Sequence, residues 1–455
     1  MPSSFRPPIR VLNICVVGLW HQACVLSAAF AEMGHFVVGV GNDEVALNSL
    51  RRGKAPLYEP RLDAMLRRNI KAGRLRYTDD FADALANAEL VFVAIDTPVT
   101  DQDEPELEVV LQAARNIGRF RSGDITLCVT SQVPVGTSEK MAASVRESAG
   151  SCDVVYIPEF LRLGEALDTF FHADRFILGA KDLAVANRVA DLYRPLQRPV
   201  LVTDLRSAEM AKHACNAYLA TSISFINEIA DICDRLGADA IEVGRAMKSD
   251  RRIGPYAFLT PGLGFAGGTL GRDLRALQRL GREQDLRTRL IDAVVSVNGS
   301  RAGLVSRKLS ATFGSVKGLH IGVLGLTYKP GTSTLRRSMA LEIISQLLED
   351  GALVAAFDPL ADLSEIDALP PFEISSDPYA LAEDCDALVL TTEWTGIREL
   401  DFKRLRKAMR GSVFVDTRNL FDPAEMERLG FSYSGIGRGN VRLSAATNSA
   451  SSGGN

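Results

Sequence analysis

The sequence predicts an α/β protein with two doubly wound parallel-sheet domains joined by a long central helix. Three patterns lead to that class. An apolar run from Val11 to Val17 enters Gly18, then a helical pattern with Ala23, Leu26, Phe30 and Met33 on one face, then Gly34 and a second apolar run, Phe36 to Val40. That order is a βαβ unit. The same order of strand, glycine, helix and strand returns at His320 to Leu324, Gly325, Met339 to Glu349 and Leu353 to Phe357, so the chain holds two Rossmann-like halves. Between them, Ser207 to Leu236 contains neither Gly nor Pro and predicts one uninterrupted helix.

The remaining elements follow in order. Apolar strands at Leu90 to Ile95, Ile125 to Thr130, Val154 to Ile157 and Val200 to Thr203 extend the first sheet, giving an N-terminal domain over 1–203. Helical periodicity, broken by a glycine-containing loop from Gly254 to Gly268, continues to about Leu309 and defines a central region over 204–310. Strands at Ala387 to Thr391 and Val413 to Val415 complete a C-terminal domain over 311–440, and the Ser, Asn, Gly and Ala of 441–455 predict a disordered tail. A length of 455 residues is roughly three times the commonest domain size, which fits two or three cores.

Composition excludes several classes. With 46% hydrophobic and 24% charged residues the chain reads as an ordinary globular protein. Lys and Arg number 52 against 56 Asp and Glu, a formal net charge of −4, so no basic excess exists to neutralise a nucleic-acid backbone. No uncharged apolar run reaches the roughly 20 residues of a bilayer span, and the start lacks a hydrophobic segment with a cleavage site, which places the chain in the cytoplasm with no membrane partner. The seven cysteines contain no CxxC pair and the five histidines no HxxxH; neither a disulfide framework nor a metal site is expected.

Five stretches carry a more specific signal: Pro158-Glu-Phe-Leu-Arg-Leu-Gly-Glu-Ala, Ala208-Glu-Met-Ala-Lys-His-Ala-Cys-Asn, Arg252-Ile-Gly-Pro, Gly262-Leu-Gly-Phe-Ala-Gly-Gly-Thr-Leu-Gly-Arg-Asp and Gly325-Leu-Thr-Tyr-Lys-Pro-Gly. In this order, over residues 10 to 440, they resemble the UDP-glucose/GDP-mannose dehydrogenase family. The resemblance implies removal of four electrons from the C6 hydroxyl of a nucleotide-linked hexose by two NAD⁺, for polysaccharide biosynthesis, in a homodimer built on the central helices. It implies chemical roles for Glu159, Lys212, Asn216, Thr269 and Asp273. Lys212 and Asn216, four apart, share a helix face where an ammonium can stabilise an alkoxide and an amide can orient a water. It implies nucleotide-sugar contacts from Phe160, Leu161, Arg252, Phe258, Gly262, Gly264, Gly267, Lys329 and Arg336, with Arg252 reaching the partner subunit's substrate. Cofactor contacts fall to Gly18, Leu19, Trp20, His21, Asp43, Thr97, Pro98, Gln132 and Arg272.

The departures from that family bear on mechanism. Thr269 stands where the family has its catalytic cysteine, and an alcohol needs an adjacent base to attack a carbonyl. Arg272 replaces a lysine, and Gln132 a threonine. The glycine fingerprint reads Gly18-Leu-Trp-His-Gln-Ala, with Trp20 where backbone normally approaches the pyrophosphate. Gly41 replaces the acid expected at the end of the second strand, with Asp43 two residues on; the second half has Asp358 at that offset. Arg51, Arg52 and Lys54 follow, so NADP is compatible as well as NAD. Three readings stay open: a dehydrogenase without a cysteine nucleophile, a nucleotide-sugar-binding protein without net turnover, and a redox-neutral sugar epimerase.

Overall fold

The structure, a computed structural model, describes residues 8, 10–98, 100, 105–121, 123–266, 268–366 and 369–439; the expected disordered tail over 441–455, and Gly267, lie outside the described residues. The chain divides into two units, 1–215 and 216–455.

The first unit is built on an eight-stranded sheet: β1 Asn13–Val17, β2 Phe36–Val40, β3 Leu75–Thr78, β4 Leu90–Val93, β5 Thr126–Val129, β6 Asp153–Tyr156, β7 Phe176–Ala180 and β8 Val200–Thr203, in the order β3-β2-β1-β4-β5-β6-β7-β8. Every pairing is parallel except β6 with β7. The central strands read as continuous apolar runs because helices cover both faces. Cys15 and Val17 of β1 face one buried cluster and Ile14 and Val16 the other. β3 and β7 were not expected from the sequence. In β3, Leu-Arg-Tyr-Thr, the exposed Arg76 interrupts the apolar signal at the sheet's edge. In β7, Gly179 reads as a break, yet it is the place where strand meets helix: a Cβ there would lie 2.3 Å from the Cβ of Ala208.

A helix of 32 residues, Leu205–Leu236, runs from the first unit into the second and spans about 48 Å. Helices Ala240–Lys248, Thr269–Glu283, Arg289–Gly299 and Leu304–Phe313 follow. The second unit then forms a six-stranded, fully parallel sheet of β9 His320–Leu324, β10 Leu353–Phe357, β11 Glu373–Ile374, β12 Ala387–Leu390, β13 Val413–Asp416 and β14 Ser432–Gly435, ordered β11-β10-β9-β12-β13-β14. The helix expected over Met339 to Glu349 has those bounds, with Ser338 accepting from Ala340 N as its N-cap. The edge strands β11 and β14 escaped sequence reading because they are short and mostly polar.

In both sheets the chain leaves the first strand on one side and returns to its other side, opening a crevice at the carboxyl ends of β1 and β4 and of β9 and β12. Glycine makes each crossing possible. Gly18 has φ +132° and a Cβ there would sit 2.6 Å from the Ala94 carbonyl oxygen; Gly325 has φ +103° and would meet Thr392 Cβ at 2.4 Å.

Candidate active site

At the β1 end, the helix His21–Glu32 begins directly after Trp20 and has no acidic residue in its first turn, so no carboxylate of its own first turn offsets its positive end at the crevice. Trp20 has φ −91° and ψ −175°, backbone that any residue adopts, and the residue is 38% exposed. The indole therefore replaces glycine without backbone strain. His21 turns its ring inward, 8% exposed, with Nε2 2.8 Å from Glu59 Oε2; what it offers a phosphate is its main-chain N–H. Thr97 is buried and Pro98 exposed just past β4, and Gln132 is half-buried past β5.

The adenosine side differs from an ordinary dinucleotide site. Leu19 is buried, and a Cβ on Gly41 would lie 2.7 Å from Leu19 Cγ, so leucine fills the space an acidic side chain at 41 would need. Asp43 is exposed and caps the helix Glu44–Arg51, its Oδ1 accepting from Ala46 N at 3.0 Å. Arg51 is engaged as well, donating to Asp79 at 3.1 Å and to the Tyr77 carbonyl at 3.3 Å. The residues present fit the pyrophosphate of a dinucleotide, at Gly18 and the helix end, and leave the ribose without the usual carboxylate.

On the other side of the same sheet, the segment after β6 carries Glu159, Phe160 and Leu161. Glu159 Oε1 accepts from Leu161 N, and Lys212, 5% exposed, donates its ammonium to the Glu159 carbonyl. Lys212 Nζ lies 4.9 Å and Arg175 Cζ 4.7 Å from the Phe160 ring centre, so two cations flank one aromatic ring. The long helix also fixes the loop that holds Gln132. Glu209, fully buried, accepts from Gly136 N at 2.6 Å and Ser138 N at 3.0 Å, and the His213 ring meets the Val133 carbonyl at 3.0 Å. Burial pushes the Glu209 carboxyl above the usual carboxylate range, against these backbone donors.

In the second unit, Asn216 donates to Asp273 Oδ2; both are buried. Thr269 is exposed and opens the helix Thr269–Glu283, with Arg272 half-buried one turn on. The glycine loop is clamped rather than loose. Asn227 accepts from Gly262 N at 2.9 Å, and Asn298 holds Phe265 N at 2.8 Å and Phe265 O at 3.1 Å. Arg301, fully buried, reaches both Asp231 oxygens at 2.8 Å and the Gly262 carbonyl at 3.2 Å. Gly264 has φ +99°, and a Cβ there would strike Asn298 Oδ1 at 2.4 Å. Arg252 extends into solvent, paired to Asp250 at 2.6 Å, and Phe258 is exposed. Lys329 Nζ stands 6.0 Å from the Tyr328 ring centre, and Arg336 lies 3.5 Å from Glu365.

Asp358, the acid of the second half, turns inward. Its Oδ2 accepts from Leu326 N at 2.7 Å, Thr327 N at 3.0 Å, Thr327 Oγ1 at 3.1 Å and Trp394 Nε1 at 3.1 Å. It stabilises the β9 turn instead of presenting a free carboxylate at a ribose. Glu59, Arg175, Glu209, Asn227, Asn298 and Arg301 were not foreseen, because the hydrogen-bond partners of their side chains lie 33 to 107 residues away along the chain.

Two switch-point crevices, one with a glycine turn against an anion-ready helix end, define the class of doubly wound dinucleotide-binding proteins. The particular family follows from sequence comparison. The NAD binding domain of the UDP-glucose/GDP-mannose dehydrogenase family matches residues 12–197, its central domain 206–300 and its UDP binding domain 322–423. The chain belongs to that family, and NAD is the cofactor of its N-terminal domain. It is 37% identical to UDP-glucose 6-dehydrogenase of Rhizobium meliloti over 94% of this chain and 100% of that one, and 38% identical to the Pseudomonas aeruginosa enzyme of the same name over 96% and 100%. A UDP-glucose dehydrogenase structure from the archaeon Pyrobaculum islandicum superposes with a TM-score of 0.87 at 34% identity, covering 96% of this chain and 99% of that one.

Proposed function

We propose that this chain oxidises the C6 hydroxyl of a UDP-hexose as an NAD-dependent dehydrogenase. The observation that carries the reading is the buried Lys212 ammonium, held beside Phe160 by the Glu159 carbonyl at the carboxyl edge of the sheet. The relatives' name, UDP-glucose 6-dehydrogenase, supports UDP-glucose as the sugar. NAD, when bound, accepts the hydride. Lys212 stabilises the oxygen as its proton leaves, and Glu159 is the carboxylate suited to take that proton. Asn216 spends its amide N–H on Asp273, which leaves its carbonyl oxygen to orient a hydroxyl or water. The backbone of Gly262 and Gly264, with Phe160, Leu161, Phe258, Lys329 and Arg336, is assigned to the nucleotide-sugar.

Thr269 is an exposed alcohol at a helix start, so the aldehyde is hydrated rather than held covalently, and a second hydride leaves from the hydrate. The working form is a homodimer in the cytoplasm. Tyr218, Phe225 and Ile232, seven residues apart on the long helix, are 66%, 45% and 52% exposed, a stripe suited to a second copy. Arg252 then serves the neighbour's sugar. The domains divide at 203 and 310, as the sequence suggests. One observation favours binding without turnover, the Leu19 side chain occupying the place of an acid at 41. Near-ultraviolet absorbance of reduced cofactor, with NAD⁺ and a panel of UDP- and GDP-sugars, separates the cases. Two equivalents per UDP-glucose are expected; one means release of the aldehyde, and none, beside clear sugar-nucleotide binding, overturns the dehydrogenase.

A further inference from the structure

Glu59 belongs to none of the motifs that the reaction uses, yet it is 5% exposed and carries three hydrogen bonds. Its Oε2 meets His21 Nε2 and Gly164 N, each at 2.8 Å, and its Oε1 accepts from Ala166 N at 2.8 Å. A carboxylate is tolerated in such a place only when donors replace the water it has lost, and these donors come from two functional segments. His21 is the first residue of the helix whose end faces the cofactor crevice. Gly164 and Ala166 close the segment that begins at Glu159 and Phe160. Two residues after Glu59, Arg61 sits at φ +68° and pairs with Asp168 at 2.6 Å, so the same turn grips residues 164–168 twice. A non-glycine residue keeps a left-handed backbone only where its surroundings over-determine it.

We propose that Glu59 is a positioning residue that couples the cofactor-facing helix to the substrate-side segment 159–164, so that occupancy of one sets the geometry of the other. The proposal rests on the functional reading above for what each segment binds. Any such coupling is reciprocal: each ligand must tighten the other by the same factor.

The test is calorimetry on the full chain, measuring the Kd of UDP-glucose with and without saturating NADH. In the unmodified protein NADH is expected to tighten UDP-glucose by about fivefold or more. Glu59→Gln and His21→Phe should bring that ratio to about one while both ligands still bind, and should raise KM for NAD and for the sugar nucleotide together. His21→Asn, which restores a donor, should recover part of the coupling. His21→Phe keeps a ring and removes only the donor, so it stands in for Glu59→Gln if that variant does not fold. A merely structural role would lower Tm and the active fraction with both KM values and the ratio unchanged; that result overturns the proposal, as does a ratio of one in the unmodified protein. Failure of the unmodified chain to bind either ligand overturns the functional reading as well, whereas binding without coupling overturns this proposal alone.

Discussion

Lys212 is buried with its ammonium on a main-chain carbonyl, an arrangement that leaves donors for an oxygen gaining charge. Lys212→Met is expected to lower kcat by about 100-fold with Tm little changed, read by reduced-cofactor formation beside a melting curve. Glu209 tests the cost of a buried carboxylate. Glu209→Gln leaves one of two backbone N–H groups facing an amide N–H, a loss of about 1 to 3 kcal/mol. Because burial raises the folded pKa of Glu209 above its unfolded value, its ionisation opposes folding: native stability falls as pH rises from the unfolded value through the folded one. The gap between the variant and the unmodified chain should therefore narrow as pH rises through that window, which urea midpoints at stepped pH will show. Arg61→Gly relieves a left-handed arginine but also removes its pairing with Asp168, so stability in the same assay should stay within about 0.5 kcal/mol of the unmodified chain. Glu159, Lys212, Asn216 and Asp273 were legible as candidates, because a family pattern preserves residue types. Glu59 and Arg301 were not, since nothing local marks a Glu or Arg as buried when its partners lie far along the chain.

At the scale of elements, the two halves repeat one crossing and treat its acid in opposite ways. In the second, Asp358 is drawn inward by donors from the β9 turn and Trp394. In the first, the acid is absent and Leu19 fills its place against Gly41. The pair is matched, so its members should be coupled in a mutant cycle. Gly41→Asp alone is expected to lose stability through its clash with Leu19, whereas Leu19→Ala with Gly41→Asp should regain most of it and bind NAD more tightly than the unmodified chain. Thermal melts and NADH titration of Gly41→Asp, Leu19→Ala and the double variant check both parts. The glycine loop carries a related lesson. Its glycines read as freedom, but Asn227, Asn298 and Arg301 fix its backbone, and Gly264 is there because Asn298 leaves no room for a Cβ.

For the whole molecule, among the described residues no helix is long and apolar enough to cross a membrane. The homodimer proposed above is tested on the exposed apolar stripe of the long helix. Phe225→Glu should convert a dimer into monomers in sedimentation experiments at micromolar concentration; unchanged sedimentation of a dimeric parent would place the interface elsewhere. The strands β1, β2, β4, β5, β6, β8, β9, β10, β12 and β13, the long helix and the glycine crossings were determined by the sequence alone, because apolar period and glycine position are local properties that a short window contains. Tertiary structure alone decided which polar side chains are buried, that β7 runs antiparallel to β6, and that short edge strands join each sheet. It also decided that a tryptophan at a glycine position needs no backbone strain and that a leucine can occupy an acid's space. Those outcomes depend on partners that only folding brings within hydrogen-bond or van der Waals distance, and no window of sequence contains both members of such a pair.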